Sequence, residues 1–479
     1  MKRFRNLGTL AGALAVICLI TVLVGSMEHK KEEIRNTDEV ILSIPADSVV
    51  GLSWNTDTDP EGFAFTREEG GWSYEEDPEF PVDEDRIAAL LSPFEALGAA
   101  FIIENVEDFG QYGLEEPVCT IRLETEEDEH VVTLGNFSAM DGQRYVSTGD
   151  GNVYLVQRDL RNDFDLKLSD LIRHDNTPGF DQVQSVTFSG RQDYELVYQE
   201  DGPTEREDDV YFARLYGELQ PLDPMLVEAY LDTISWLDPK TYKTYKAAEE
   251  DLVQYGLDRP ELTVTVDYTE TDEDDNETAE TFVLHVSRDP EQAAQAAEAA
   301  DTAEEEEDLE ELVAYVRIGD SRIVYQIGGE DYEALMACGY DDLRHREILP
   351  VAYTSIQRMD IELEGETYTL TAQGLDDQDK PRFFYQDEEL DMSDIEYALD
   401  GLRADRFTDQ APSDKEELSL TLYLEEDAEE GIRVTLYRED GVTCLAQVDG
   451  GSVAYVPRAQ AVELVEAIRA AVLPPAEAV

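Results

Sequence analysis

The chain has 479 residues and carries 111 Asp and Glu against 36 Lys and Arg, a formal net charge of −75. A surface of that sign repels a polyphosphate backbone, so nucleic acid is excluded as an expected partner. Hydrophobic residues at 42 % and aromatics at 9 % still suffice for packed cores, which excludes a disordered acidic tail; at usual domain sizes the length suggests about three folded units.

Lys2, Arg3 and Arg5 precede an uncharged apolar run over 7–24. At 1.5 Å per residue such a run is at the short end of what crosses a hydrocarbon core of about 30 Å. The spacing predicts a cytoplasmic tip over 1–6, a transmembrane helix over 7–26 and a linker over 27–44. The lipid bilayer is then an expected partner, through 7–26. Positive charge favours the cytoplasmic side, so the expected location is the cell membrane, single-pass, with the bulk of the chain extracytoplasmic. A cleaved signal peptide is the alternative, because Val24 and Ser26 fit a loose small-residue site. Cys18 lies mid-run behind Ile17 and reads as a small apolar residue.

The remainder repeats itself three times. Behind the expected N-caps Asp83, Asp223 and Asp391, apolar residues recur at offsets of 4, 7, 8 and 11, one face of a helix. They are Ile87, Leu90, Leu91 and Phe94; Val227, Tyr230, Leu231 and Ile234; Ile395, Ala398, Leu399 and Leu402. Pro93 is expected to kink the first copy. A strand pair precedes each helix (63–74, 194–198 with 210–215, 368–372 with 382–385). Four β-rich runs follow it: 118–123, 130–134, 144–147 and 153–156 in the first copy; 262–268, 281–286, 313–318 and 323–327 in the second; 418–424, 432–437, 443–448 and 453–456 in the third. Alternating runs broken by Gly, Asp and Asn predict antiparallel hairpins and meanders. The predicted fold class is therefore α+β, an N-terminal transmembrane helix followed by three tandem repeats, each an antiparallel sheet (hairpin plus four-strand meander) covered by one or two helices. The expected modules are 45–178, 179–350 and 351–474, with an acidic Ala/Glu insert at about 288–311 in the second.

Tyr112, Gly113, Leu114 and Pro117 recur as Tyr255, Gly256, Leu257 and Pro260. Gly allows the left-handed turn that closes a helical segment, and Pro sets an extended start for the next strand. With the strand-and-glycine runs 132–135 and 316–319 and the basic, apolar N-terminus, this step resembles the bacterial domain of unknown function 4340 family. The third copy lacks it. The resemblance implies a membrane-anchored extracytoplasmic component beside ABC-type transporters of the gliding-motility or exopolysaccharide-export kind, with membrane transporter subunits as partners. It implies no catalytic residues.

Chemistry is sparse in the pattern. The histidines are His29, His130, His174, His285 and His345, read as having no second ligand at i+2, i+3 or i+4, so no zinc-type motif is recognised. His130 and His285 read as sheet-surface residues. There is no nucleophile elbow and no phosphate loop, so no nucleotide is expected. Asp57, Asp59, Glu61, Gly62 and Glu68 occupy positions 1, 3, 5, 6 and 12 of a calcium-loop pattern, with Pro60 and strand-like flanks against it; a polar hairpin turn explains the same residues. Cys119, Cys338 and Cys444 are too few for a disulfide framework. Catalytic, cofactor-binding and metal residues are accordingly predicted as none. The expected function is a non-enzymatic interaction or scaffold protein accessory to an ABC-type transporter; the alternatives are an envelope carbohydrate-acting hydrolase using paired carboxylates and an acidic cation-binding surface protein.

Overall fold

The computed structural model describes residues 33–473 except 140–141, 207, 273–274, 303–311, 378, 413–414, 426–427 and 452, with the backbone alone at 297–302. The chain divides into two compact units, one running up to Asp175 and including Lys240–Ala247, the other formed by Asn176–Pro239 and Ala248–Val479.

In the first unit one antiparallel sheet runs, in spatial order, through Glu33–Asn36, Leu97–Glu104, Val153–Val156, Gln143–Ser147, Glu129–Ser138, Cys119–Thr125, Val49–Thr56, Phe63–Glu68 and Gly71–Tyr74. Its spine is the pairing of Val49–Thr56 with Cys119–Thr125, which sets Leu52 opposite Leu123 and Trp54 opposite Ile121. All four side chains are buried, because alternate residues of a strand share a face. Trp54 anchors an aromatic cluster with Phe63, Phe65 and Phe164, at centroid distances of 5.4, 5.8 and 5.3 Å. Lys240–Ala247 joins this unit through Tyr245, which donates to Asp77 at 2.8 Å and meets Phe80 edge-on.

The second unit holds two sheets of the same plan. One runs Glu218–Pro221, Tyr211–Leu215, Tyr194–Tyr198, Gln182–Gly190, Leu262–Thr271, Glu277–Arg288, Val313–Ile318, Val324–Gly328. The other runs Glu388–Glu389, Pro381–Tyr385, Glu366–Leu375, Arg358–Leu363, Glu416–Tyr423, Ile432–Arg438, Thr443–Val448, Val453–Pro457, Arg406–Thr408. Each has its opening strand in the interior, where the first sheet has Val49–Thr56. Phe188 faces Val264, and Ile361 faces Leu420, in the positions that Trp54 and Ile121 hold in sheet one.

The helices Glu84–Leu91, Pro224–Ser235 and Ser393–Asp400 carry ten of the twelve residues at the repeated offsets, with Phe94 and Leu402 just beyond the first and third, and all twelve are buried. In the third copy they join one core with Met359, Ile361, Leu420, Leu422 and Val434 of the sheet and with Leu464 and Ile468 of helix Arg458–Val472. Asp83 and Asp223 are N-caps, accepting first-turn amides. The third cap is corrected: Met392 holds that position, and Asp391 accepts the Ser393 amide from one residue further out. At Pro93 the first helix tightens into a 3-10 turn over Ser92–Phe94.

The expected fold class is also corrected. The protein is mostly β, with 42 % strand against 21 % helix, because each module adds to the hairpin and meander a central opening strand, marked by local pattern only in the first module as the strand-like flank before Asp57, and long strand extensions. No helix among the described residues is long and apolar enough to cross a membrane. The transmembrane helix expected over 7–26 lies outside the described residues. The Ala/Glu insert begins as helix Pro290–Thr302, and 303–311 lie outside the described residues.

Candidate functional site

Most motifs singled out in the sequence serve the fold. Gly113 and Gly256 both adopt a left-handed conformation, φ 73° and 69°, and close 3-10 turns. The tyrosines before them pack on equivalent strands, Tyr112 against Tyr145 and Tyr255 against Tyr315. The glycine runs are not equivalent, however. Gly135 lies in the second meander strand against the Tyr112 carbonyl. Its counterpart is Ser287, whose hydroxyl donates to the Gly256 carbonyl at 2.9 Å; Gly319 only turns the chain after the third strand. His130 and His285 occupy different ladder positions, opposite Leu123 and Thr263. His285 bonds Thr263 at 3.0 Å, and burial with nearby Arg317 lowers its pKa.

The calcium-like pattern lies on the hairpin between Val49–Thr56 and Phe63–Glu68. Asp59 accepts the Gly62 amide, Asp57 pairs with Arg161, and Glu68 sits at the far end of its strand opposite Gly71. Its residues therefore do not converge. Cys119, Cys338 and Cys444 are separate buried thiols, pushed up to about 12, 11 and 12 by desolvation.

A different group does converge, in the second unit. His345 follows the short helix Tyr340–Leu343, and the extended chain after it places Glu347 two residues on, bridged to Arg403. Asp209 precedes strand Tyr211–Leu215 and its side chain is fully buried. Its Oδ1 lies 2.6 Å from His345 Nε2, and its Oδ2 accepts from Thr204 at 2.6 Å. The other ring nitrogen, Nδ1, is 3.7 Å from Glu347 Oε2, too far for a hydrogen bond. Glu347 Oε1 takes Arg403 at 2.7 Å, whereas Oε2 is buried without a hydrogen-bond partner. Burial pushes the imidazole down, but Asp209 and Glu347 outweigh it and hold His345 up at about 9. In return the His345 ring holds Glu347 down at about 2, against burial and with help from Arg403.

The third acid is Asp223, whose Oδ1 caps the helix Pro224–Ser235 through the Met225 amide. Its own amide donates to the Leu343 carbonyl at 2.9 Å, which ties the cap to the chain leading into His345. Ligand atoms of Asp223, His345 and Glu347 lie within 4.8 Å of one another. Asp209, His345 and Glu347 also line a groove of about 550 Å³ with Arg206, Arg344 and Phe407. Sequence reasoning misses this group. The available signal is Glu347 at i+2 of His345; Asp223 reads only as a helix cap, and Asp209 carries no signal at all.

A second feature lies on the outside of the helix Pro224–Ser235. Met225 and Trp236 are each 78 % exposed and eleven residues apart, so with exposed Ala229 and Asp232 they form one face.

The family model described as Domain of unknown function (DUF4340) matches residues 72–209, from the Trp72 strand to Asp209. The resemblance read from the first Tyr-Gly-Leu step is thus shown for that region. No curated protein and no solved structure matches the chain.

Proposed function

We propose, taking the DUF4340 region as the premise, that this protein is an extracytoplasmic interaction arm, non-enzymatic and accessory to an ABC-type membrane transporter. The exposed Met225, Ala229, Asp232 and Trp236 face carries the reading. A solvent-facing Trp and Met aligned on one helix stripe suit a protein contact, since large apolar side chains supply most binding energy when a partner covers them. Three copies of one sheet plan supply the scaffold that carries it. The basic tip and apolar run over 1–24 support placement at the cell membrane, with the modules exported.

A photo-crosslinking amino acid at Trp236, compared with one at exposed Glu388 on the edge of the third sheet, tests this in native membranes. The expected result is a crosslink from position 236, and not from 388, to a transporter membrane subunit. Recovery of the chain in the soluble fraction, with no such crosslink, rejects the reading.

A further inference from the structure

The group around His345 is arranged as a metal site is arranged. Its imidazole is oriented from behind by a carboxylate: Asp209, fully buried, engages Nε2 at 2.6 Å and is itself held by Thr204. That contact leaves the opposite nitrogen, Nδ1, 3.7 Å from Glu347 Oε2, on the side of the group that Asp223 completes. A carboxylate on the far nitrogen is the usual support behind a metal-ligating histidine, since it sets the tautomer and strengthens the donor. In front of Nδ1, Glu347 offers Oε2, an oxygen that is buried and hydrogen-bonded to nothing, because Arg403 takes only Oε1. Asp223 spends Oδ1 on its helix cap, which leaves Oδ2 as its free donor.

The repeat supplies a control within the chain. In the first module Asp83 caps the matching helix, and its amide donates to the Leu171 carbonyl at 2.9 Å, as Asp223 does to Leu343. Two residues beyond Leu171 stands Arg173, where the second module has His345. The scaffold is shared and the donor set is not, so the fold itself does not require a histidine here.

We propose that His345 Nδ1, Glu347 Oε2 and a carboxylate oxygen of Asp223 bind one first-row divalent cation, with Asp209 as a positioning residue. One nitrogen and two oxygens form the mixed borderline set that zinc accepts. The cation takes the place of the Nδ1 proton, which leaves to solvent. Ligands around tetrahedral zinc stand about 3.3 Å apart, so atoms now within 4.8 Å of one another close on the ion by side-chain rotation. The adjoining groove leaves a further coordination position accessible to water. This inference is independent of the transporter reading above.

Zinc chloride titrated calorimetrically into the chelator-treated full-length chain tests it, with millimolar magnesium present to occupy surface carboxylates. One zinc per chain is expected. Asp209→Asn should weaken binding about 10–100-fold, and His345→Gln and Glu347→Gln should weaken it more, while Asp57→Asn on the hairpin turn leaves it unchanged. Cobalt(II) on the wild-type chain reads the site without any variant. Visible absorption of a low-coordinate nitrogen and oxygen site is expected, whereas the weak absorption of octahedral cobalt on surface carboxylates overturns the proposal. So does an absence of stoichiometric zinc binding, or binding that His345→Gln and Glu347→Gln, checked as folded by circular dichroism, leave intact.

Discussion

Asp159 caps the short helix Leu160–Asp163 and meets Arg144 through two parallel hydrogen bonds of 2.6 and 3.0 Å. Burial works against its charge, but Arg144 and the Arg161 amide outweigh that and hold the carboxyl below its ordinary 3.8. A carboxylate whose pKa is lower folded than unfolded stabilises fully above the unfolded value and loses that contribution as pH falls through the folded one. Asp159→Asn should therefore cost about 3 kcal/mol at neutral pH, because it strands a guanidinium that is only 11 % exposed. The gap to wild type should close as pH drops below about 4. Urea unfolding followed by Trp54 and Trp72 fluorescence, in a Trp236→Phe background, measures both. The glycines divide by what surrounds them. A Cβ on Gly135 would lie 2.2 Å from the Tyr112 carbonyl oxygen, whereas one on Gly256 would come no nearer than 3.3 Å. Gly256→Ala should then cost only the left-handed penalty of about 1–2 kcal/mol, and Gly135→Ala distinctly more; the same urea measurement separates them.

The repeated helices carry the core of each module, so the effect of a substitution should follow burial. Leu91→Ala, Leu231→Ala and Leu399→Ala, at positions 3, 6 and 2 % exposed, should each cost about 2–5 kcal/mol. Replacing exposed Glu84 or Glu228 should cost under about 0.5 kcal/mol. Differential scanning calorimetry of the full chain checks both, and near-neutral leucines would dismiss the module description. The Ala/Glu insert follows another logic. The same connection, between the second and third meander strands, is short in the other copies, and surface loop length costs little. Its base is built in, however: Asp289 accepts the Glu291 and Gln292 amides, and Gln292 Oε1 accepts the Val313 amide at 2.9 Å. Deleting 294–310 should leave the thermal midpoint nearly unchanged. A deletion that starts at Gln292 should lower it by the loss of that tie.

At the scale of the whole molecule, acidity governs behaviour in solution. A net −75 keeps the chain soluble and sets its carboxylates against one another, which destabilises compact states through self-repulsion. Raising NaCl from about 0.01 to 0.15 M shortens the screening length from about 30 to 8 Å, so the thermal midpoint should rise over that interval. A midpoint indifferent to salt would show that this self-repulsion contributes little to stability. The sheets answer the same charge with their edges. The terminal strand of the third sheet is only Glu388–Glu389, short and acidic, a poor template for pairing with a second chain.

Local periodicity determined a good deal of this by itself. The buried faces of three helices, the meander strands after them and the two Tyr-Gly-Leu turns all follow from residues within a turn or two of one another, where spacing alone decides which side chains share a face. The tertiary structure decided what depends on distant pairing. Gln182–Gly190 and Arg358–Leu363 are not singled out by their local pattern; each becomes a central strand by pairing with a hairpin on one side and, on the other, with a meander whose first strand lies far along the chain. Likewise, Asp223 caps a helix in the sequence and faces His345 only in the fold. The His345 group draws on Asp209, Asp223 and a segment more than a hundred residues later. Beyond the spacing of His345 and Glu347, no local pattern marks residues that meet only because the sheet and its helix bring their ends together, so the convergence of this group belongs to the tertiary structure.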